Sequence, residues 1–146
     1  MNQLAEKVRA SGVKRVSGEV VIGSRLFESY RVPNQNLLIT PMMLNENQID
    51  VTILPTEPGQ PARLTYRPET EFFEVKNQVV TGDSGTEDTV QFSGDRLTSG
   101  VGDTGIVSGS LPTDYTAALN GQESYVGTFR VEDPDAFART AFIEAL

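Results

Sequence analysis

The apolar positions of this chain follow a helical period at its two ends and a strand period between them. Near the start, Leu4 and Val8 stand one helical turn apart, with Lys7 and Arg9 towards the end of the same stretch. Positions i and i+4 share a helix face, so residues 2–11 predict a short amphipathic helix. Gly12 is placed to end it in the left-handed conformation. Val13, Val16, Val20, Val21 and Ile22 then make a β-branched run across Gly18, which predicts a strand with a bulge at the glycine. In 23–41, Pro33 and Pro41 bracket Asn34-Gln35-Asn36 and the apolar Leu37-Leu38-Ile39, the pattern of a loop crossing a core edge. Ile49, Val51 and Ile53 alternate with Asp50 and Thr52 and stop at Pro55, a half-buried strand.

Glu57-Pro58-Gly59-Gln60 is a turn. Strands follow at about 62–67, 71–81, 88–93, 105–111 and 125–131, separated by Gly, Asp and Ser clusters. Asp133-Pro134-Asp135 supplies a capping side chain with Pro at the first helical position. Phe137, Ala138, Ala141, Phe142 and Ala145 fall on one face of the helix it starts. The expected fold is α+β and β-rich: mostly antiparallel sheets, with a helix at each end packed on one side. Residues 1–146 read as one compact unit or two lobes, with no boundary legible in the sequence.

Composition narrows the chemistry. The chain has 146 residues and neither Cys nor His. Disulfides and thiolate metal sites are therefore absent, as are a His base, a His ligand and a His pH switch. Hydrolysis would need Ser with Lys, a carboxylate pair, or a metal held by oxygen alone. Twelve basic and 20 acidic residues give a formal charge of −8. That balance opposes binding to phosphate backbones and to anionic membranes, so no nucleic-acid partner is expected. No segment approaches the roughly 18 apolar residues that span a bilayer, and no membrane insertion is expected. Met1 to Lys7 lacks the apolar run of a signal peptide, and Leu146 ends a helical pattern without a stop signal, as if both ends were cut from a longer chain.

Four features imitate catalytic or metal signatures. Ser11-Gly-Val-Lys14 has the spacing in which a Lys amine activates a Ser one helical turn away, but Gly12 between them puts the pair on a turn. Gly82-Asp-Ser84-Gly85 matches a serine-protease nucleophile loop, without the His that such a Ser needs. Asp103-Thr104-Gly105 is the core of the aspartic-protease motif, which needs no His. Here it follows the flexible Gly100-Val101-Gly102 rather than two apolar strand residues. The clusters Glu69/Glu71/Glu74 and Glu132/Asp133/Asp135 lack the alternating oxygen spacing and central Gly of a calcium loop. They read as the solvent face of a strand and as helix capping. No residue is assigned a catalytic, cofactor-binding or metal-binding role, and no cofactor is expected.

An ordered set of strings carries a resemblance. Leu4-Ala5 through Gly12-Val13-Lys14-Arg15-Val16-Ser17-Gly18-Glu19-Val20-Val21, then Phe27, comes first. Pro41-Met-Met-Leu44-Asn45-Glu46-Asn47 with Ile49-Asp50-Val51 and Pro55 follows, and then Gly59-Gln60-Pro61. Val107-Ser108-Gly109-Ser110-Leu111-Pro112 is third, and Val131-Glu132-Asp133-Pro134 with Ala136, Ala138, Phe142 and Leu146 is last. In this order they resemble the D-Ala-D-Ala carboxypeptidase/endopeptidase family, the class C low-molecular-mass penicillin-binding proteins. The resemblance implies that the family's Ser-x-x-Lys lies before the first string, with Ser-x-Asn and then Lys-Thr-Gly after the last. Neither of the latter two occurs in this sequence.

The chain is thus expected to be a non-catalytic accessory region of a serine-type, extracytoplasmic peptidoglycan DD-peptidase. Its implied partners are the missing catalytic domain in cis and, through the parent enzyme, cell-wall peptide or glycan. Two other readings stay open: a free-standing β-rich glycan- or protein-binding module, and a homodimeric aspartic protease using Asp103.

Overall fold

A computed structural model describes residues 1–33, 37–96 and 102–146, which form a β-rich α+β fold in two compact units. The expectations for Asn34-Gln35-Asn36 and for Gly100-Val101 lie outside the described residues. One unit comprises Met1–Asn47, Thr70–Phe72 and Arg130–Leu146; the other comprises Gln48–Glu69 and Phe73–Phe129.

The first unit holds both helices. Helix α1 (Asn2–Ala10) ends on Ser11, and Gly12 follows with φ +87°, the left-handed stop expected of it. Its buried position is Ala5, while Leu4 is half exposed, so the buried stripe sits one residue beyond the expected one. Helix α2 (Pro134–Ala145) starts as the sequence predicts: Asp133 accepts a hydrogen bond from the Ala136 amide at 3.0 Å, and Pro134 needs no partner at the first turn. Phe137, Ala138 and Ala141 are buried, and the Phe137 ring packs 5.7 Å from Phe72. The Arg9 guanidinium donates to the Ala145 and Leu146 carbonyls at 2.7 and 3.0 Å, tying α1 to the unpaired C-terminal carbonyls of α2. Strands β1 (Tyr30–Arg31) and β2 (Leu38–Ile39) form a small antiparallel pair where a plain loop is expected. The strand expected over 13–22 does not form: the segment is largely exposed and outside every sheet of the described residues, with a bend at Gly18. A β-branched run favours extended backbone, but a strand exists only where a second chain takes up its amides and carbonyls.

The second unit contains two three-stranded sheets, ordered β4-β3-β8 and β5-β7-β6. Strand β3 (Gln48–Leu54) has Ile49, Val51 and Ile53 fully buried, the alternation read from the sequence. It pairs antiparallel with β4 (Arg63–Arg67), while β8 (Tyr125–Arg130) lies on its other side. In the other sheet, β6 (Gln91–Arg96) and β7 (Asp103–Pro112) pair antiparallel, and β7 slots between β6 and β5 (Phe73–Gly82). Strands β5 and β7 run parallel, in a fold that is otherwise mostly antiparallel. Thr81, buried in β5, holds the β3–β4 turn against this sheet: its hydroxyl accepts from the Thr56 amide at 2.9 Å and its amide donates to the Gln60 carbonyl at 2.8 Å. Aromatic rings run through the unit, Phe73 to Phe129 at 5.5 Å, Phe129 to Phe92 at 5.0 Å and Phe92 to Tyr125 at 6.1 Å. Gly105 and Gly127 make room for them, since a Cβ at either would fall within 2.6 Å of Phe129 or 2.3 Å of Phe92.

Candidate functional site

The Ser84 loop, between β5 and β6, is the best-organised polar feature of the second unit. Asp83 stands just beyond β5, and its carbonyl accepts from the Thr86 hydroxyl at 2.8 Å, closing a turn. Asp114, just beyond β7, is brought alongside by the parallel pairing of β5 with β7. The Ser84 hydroxyl donates to its Oδ2 at 2.7 Å, and the Gly85 amide donates to both carboxylate oxygens at 3.0 and 3.1 Å. Gly85 has φ +76°, which a residue with a side chain adopts only at a cost, so the Gly permits the amide to face Asp114.

A shallow depression of about 510 Å³ lies here, with Gly85, Thr86, Glu87, Asp88, Asp114 and Tyr115 among its walls. The Ser84 hydrogen bond, followed by that of the Gly85 amide, holds the Asp114 carboxyl below the usual carboxylate range. Desolvation first, then the charge of Asp88, pushes the Tyr115 hydroxyl up. A carboxylate with a lowered pKa is a poor base, so Asp114 is badly suited to draw the proton from Ser84. The pair acts as a clasp between two loops.

The clasp has a testable consequence. A lowered folded-state pKa contributes stability that is complete above the ordinary carboxylate range and disappears as pH falls through the Asp114 value. Ser84→Ala removes the largest cause, so the Asp114 titration, followed by carboxyl NMR, is expected to move up towards the ordinary range. A titration that stays put would mean the hydroxyl contributes nothing to it.

The other candidates fall into separate surroundings. Ser11 and Lys14 are exposed, and the Ser11 hydroxyl is turned back onto the Val8 carbonyl at 2.7 Å as a helix C-terminal contact. A Ser that is to be activated by a Lys amine should instead face that amine from the start of a helix. Asp103 opens the central strand β7, with Phe73 and Arg96 opposite it in the two ladders, while Thr104 and Gly105 are buried. The Asp-Thr-Gly string here is strand, and Gly105 serves to seat the Phe129 ring.

Glu69, Glu71 and Glu74 are exposed, but only Glu74 belongs to a strand, because β5 starts at Phe73 rather than at 71. Glu132 pairs with Arg31 at 3.2 Å and with Arg130 at 3.7 Å, while Asp133 caps α2. Among the described residues no three of these carboxylates converge as a metal site would require. No helix of the described residues is long and apolar enough to cross a membrane.

One element of the resemblance has a geometry the sequence did not announce. Asn45, Glu46 and Asn47 are consecutive left-handed residues, with φ of 48°, 56° and 56°. Asn47 is buried; its Nδ2 donates to the Leu38 carbonyl at 2.9 Å and to the Thr40 hydroxyl at 3.0 Å, and its carbonyl accepts from the Val131 amide at 2.9 Å. The Asn-x-Asn string is therefore a structural knot of the first unit. Asn tolerates left-handed backbone better than most residues, which was the available signal.

No curated protein sequence matches the chain. Penicillin binding protein 4 of Haemophilus influenzae, solved in complex with a β-lactam, is similar in fold at 17% identity, with a TM-score of 0.57 over 97% of this chain. A second structure of the same protein aligns over 69% of this chain at 16% identity, with a TM-score of 0.47 and 20% of its own length covered. The chain spans only 30% of the length of the first of these. The sequence model of the D-Ala-D-Ala carboxypeptidase 3 (S13) family matches residues 1–146, from the first residue to the last. The chain belongs to that family.

Proposed function

We propose that this chain is a non-catalytic accessory region of a serine-type D-Ala-D-Ala carboxypeptidase, the part that the family places between its first and second active-site motifs. The observation that carries the reading is a family match over all 146 residues in a sequence holding neither Ser-x-Asn nor Lys-Thr-Gly. Its one Ser-x-x-Lys string stands at the wrong end of a helix, with the Ser hydroxyl occupied by the Val8 carbonyl. Acylation of a Ser requires a group that takes its proton and donors that stabilise the oxyanion. The Ser11 hydroxyl donates to a backbone carbonyl, which is no base, and the partner of Ser84 is a carboxylate weakened as a base. In the whole enzyme, extracytoplasmic and acting on peptidoglycan peptides, such a region would position the cell-wall substrate or brace the catalytic domain.

Labelled penicillin tests this directly. The purified chain is expected to form no covalent adduct detectable by intact-mass spectrometry, while the full-length protein becomes stoichiometrically acylated. An acylated side chain within 1–146 would overturn the proposal.

A further inference from the structure

The segment that reads as a strand yet pairs with nothing is the largest mismatch between this sequence and its fold. Val13, Val16, Val21, Leu26 and Phe27 are 44%, 57%, 79%, 81% and 44% exposed. Single exposed apolar residues are ordinary, but five of them fall within fifteen residues of one stretch that lies outside every sheet of the described residues. Between Gly12 and Tyr30 no backbone group is hydrogen-bonded to another described residue. The stretch thus combines β-branched and other apolar side chains with amides and carbonyls that no described backbone group takes up, the two things that strand addition at an open sheet edge would satisfy.

We infer that residues 13–27 are a docking strand, completed by a strand of the same polypeptide outside residues 1–146. Length supports this occupant: the chain covers 30% of the similar penicillin binding protein, so the greater part of such a molecule lies beyond the matched region. Charge argues against a second copy. Within 13–27 there are three basic side chains (Lys14, Arg15 and Arg25) and one acidic, Glu19, in a chain whose net charge is −8. Two copies of this stretch laid side by side would bring like charges together, which destabilises cross-strand pairs. The fitting partner is a sheet edge with apolar side chains on one face and acidic groups along its rim.

The inference rests on the accessory-region reading, and hydrogen exchange separates the two. In the isolated chain, amides of 13–27 should exchange at nearly the unprotected rate; in the full-length protein they should slow by roughly 100-fold or more, as ladder amides do. The double variant Val16→Lys/Val21→Lys should leave the unfolding midpoint of the isolated chain unchanged and lower that of the full-length protein. Equal exchange in both proteins overturns the inference, and so does a gene encoding nothing beyond this chain. Protection that appears in the isolated chain as its concentration rises assigns the strand to a second copy, and overturns it as well. Penicillin acylation of the isolated chain would remove the accessory reading alone and leave the exchange result standing.

Discussion

Gly109→Ala is expected to destabilise the second unit by about 3–5 kcal/mol, combining a backbone penalty for a non-glycine at positive φ with an overpacking penalty. Gly109 has φ +112°, and a Cβ there would lie 2.2 Å from the Thr89 carbonyl oxygen and 2.8 Å from its carbon. Neither side can retreat easily. Thr89 is held to Ser110 twice, its amide donating to the Ser110 carbonyl and its hydroxyl accepting from the Ser110 amide, both at 2.9 Å. On the other side, Gly109 is opposite Val79 in the parallel ladder to β5. Since a domain is stable by only about 5–15 kcal/mol, such a loss consumes a large share of the total.

Two controls separate the causes. Gly59 has φ +79° with nothing within 4 Å of its added Cβ, so Gly59→Ala should show the backbone penalty alone, about 1–2 kcal/mol. Gly94 in β6 has open space and no positive φ, so Gly94→Ala should change stability by less than about 1 kcal/mol. Urea unfolding followed by circular dichroism gives all three values. A Gly109→Ala protein no weaker than Gly59→Ala would mean the Thr89 carbonyl is not where the structure places it.

What could be read from the sequence divides along a physical line. The features legible in advance are those that one segment decides for itself. Ile49, Val51 and Ile53 announce a strand because each is buried by the same face; Asp133 and Pro134 announce a helix start because a cap is made within four residues. Features that depend on distant residues were hidden. Nothing near β5 says that β7 will lie parallel beside it, which follows from β7 entering between β5 and β6. The Ser84–Asp114 clasp joins residues 30 positions apart and exists only because of that parallel pairing.

The 13–22 segment is the converse case: its β-branched run predicts a strand, and none forms there, because a local preference makes no ladder without a neighbour. The motif residues split in the same way. That Ser84 has no imidazole to partner it is legible from composition alone, whereas the burial of Thr104 and Gly105 in a central strand needed the fold.

Asn47 provides the second large effect, because it joins a local requirement to a distant one. Asn47→Ala is expected to cost about 3–5 kcal/mol, since it leaves buried polar groups without partners and places Ala at positive φ. The amide side chain meets the Leu38 carbonyl and the Thr40 hydroxyl, and its oxygen accepts from the Leu44 amide at 3.4 Å. Thr40 is itself engaged with the Met42 carbonyl, so losing the Asn47 donor strips a partner from a hydroxyl that has little freedom to turn. Asn47→Gly separates the contributions: it accommodates φ 56° but removes the same hydrogen bonds. If the side-chain network dominates, the Gly variant stays within about 1 kcal/mol of the Ala variant. Asn47→Asp keeps the acceptor for the Leu44 amide but turns a carboxylate oxygen towards the Leu38 carbonyl, so at neutral pH it should be at least as damaging as Ala. The measurement is the urea midpoint of the three variants beside the parent chain. Full recovery of stability in Asn47→Gly would assign the Asn-x-Asn knot to backbone conformation alone, and an Asn47→Asp protein as stable as the parent would remove the role given to the Nδ2 group.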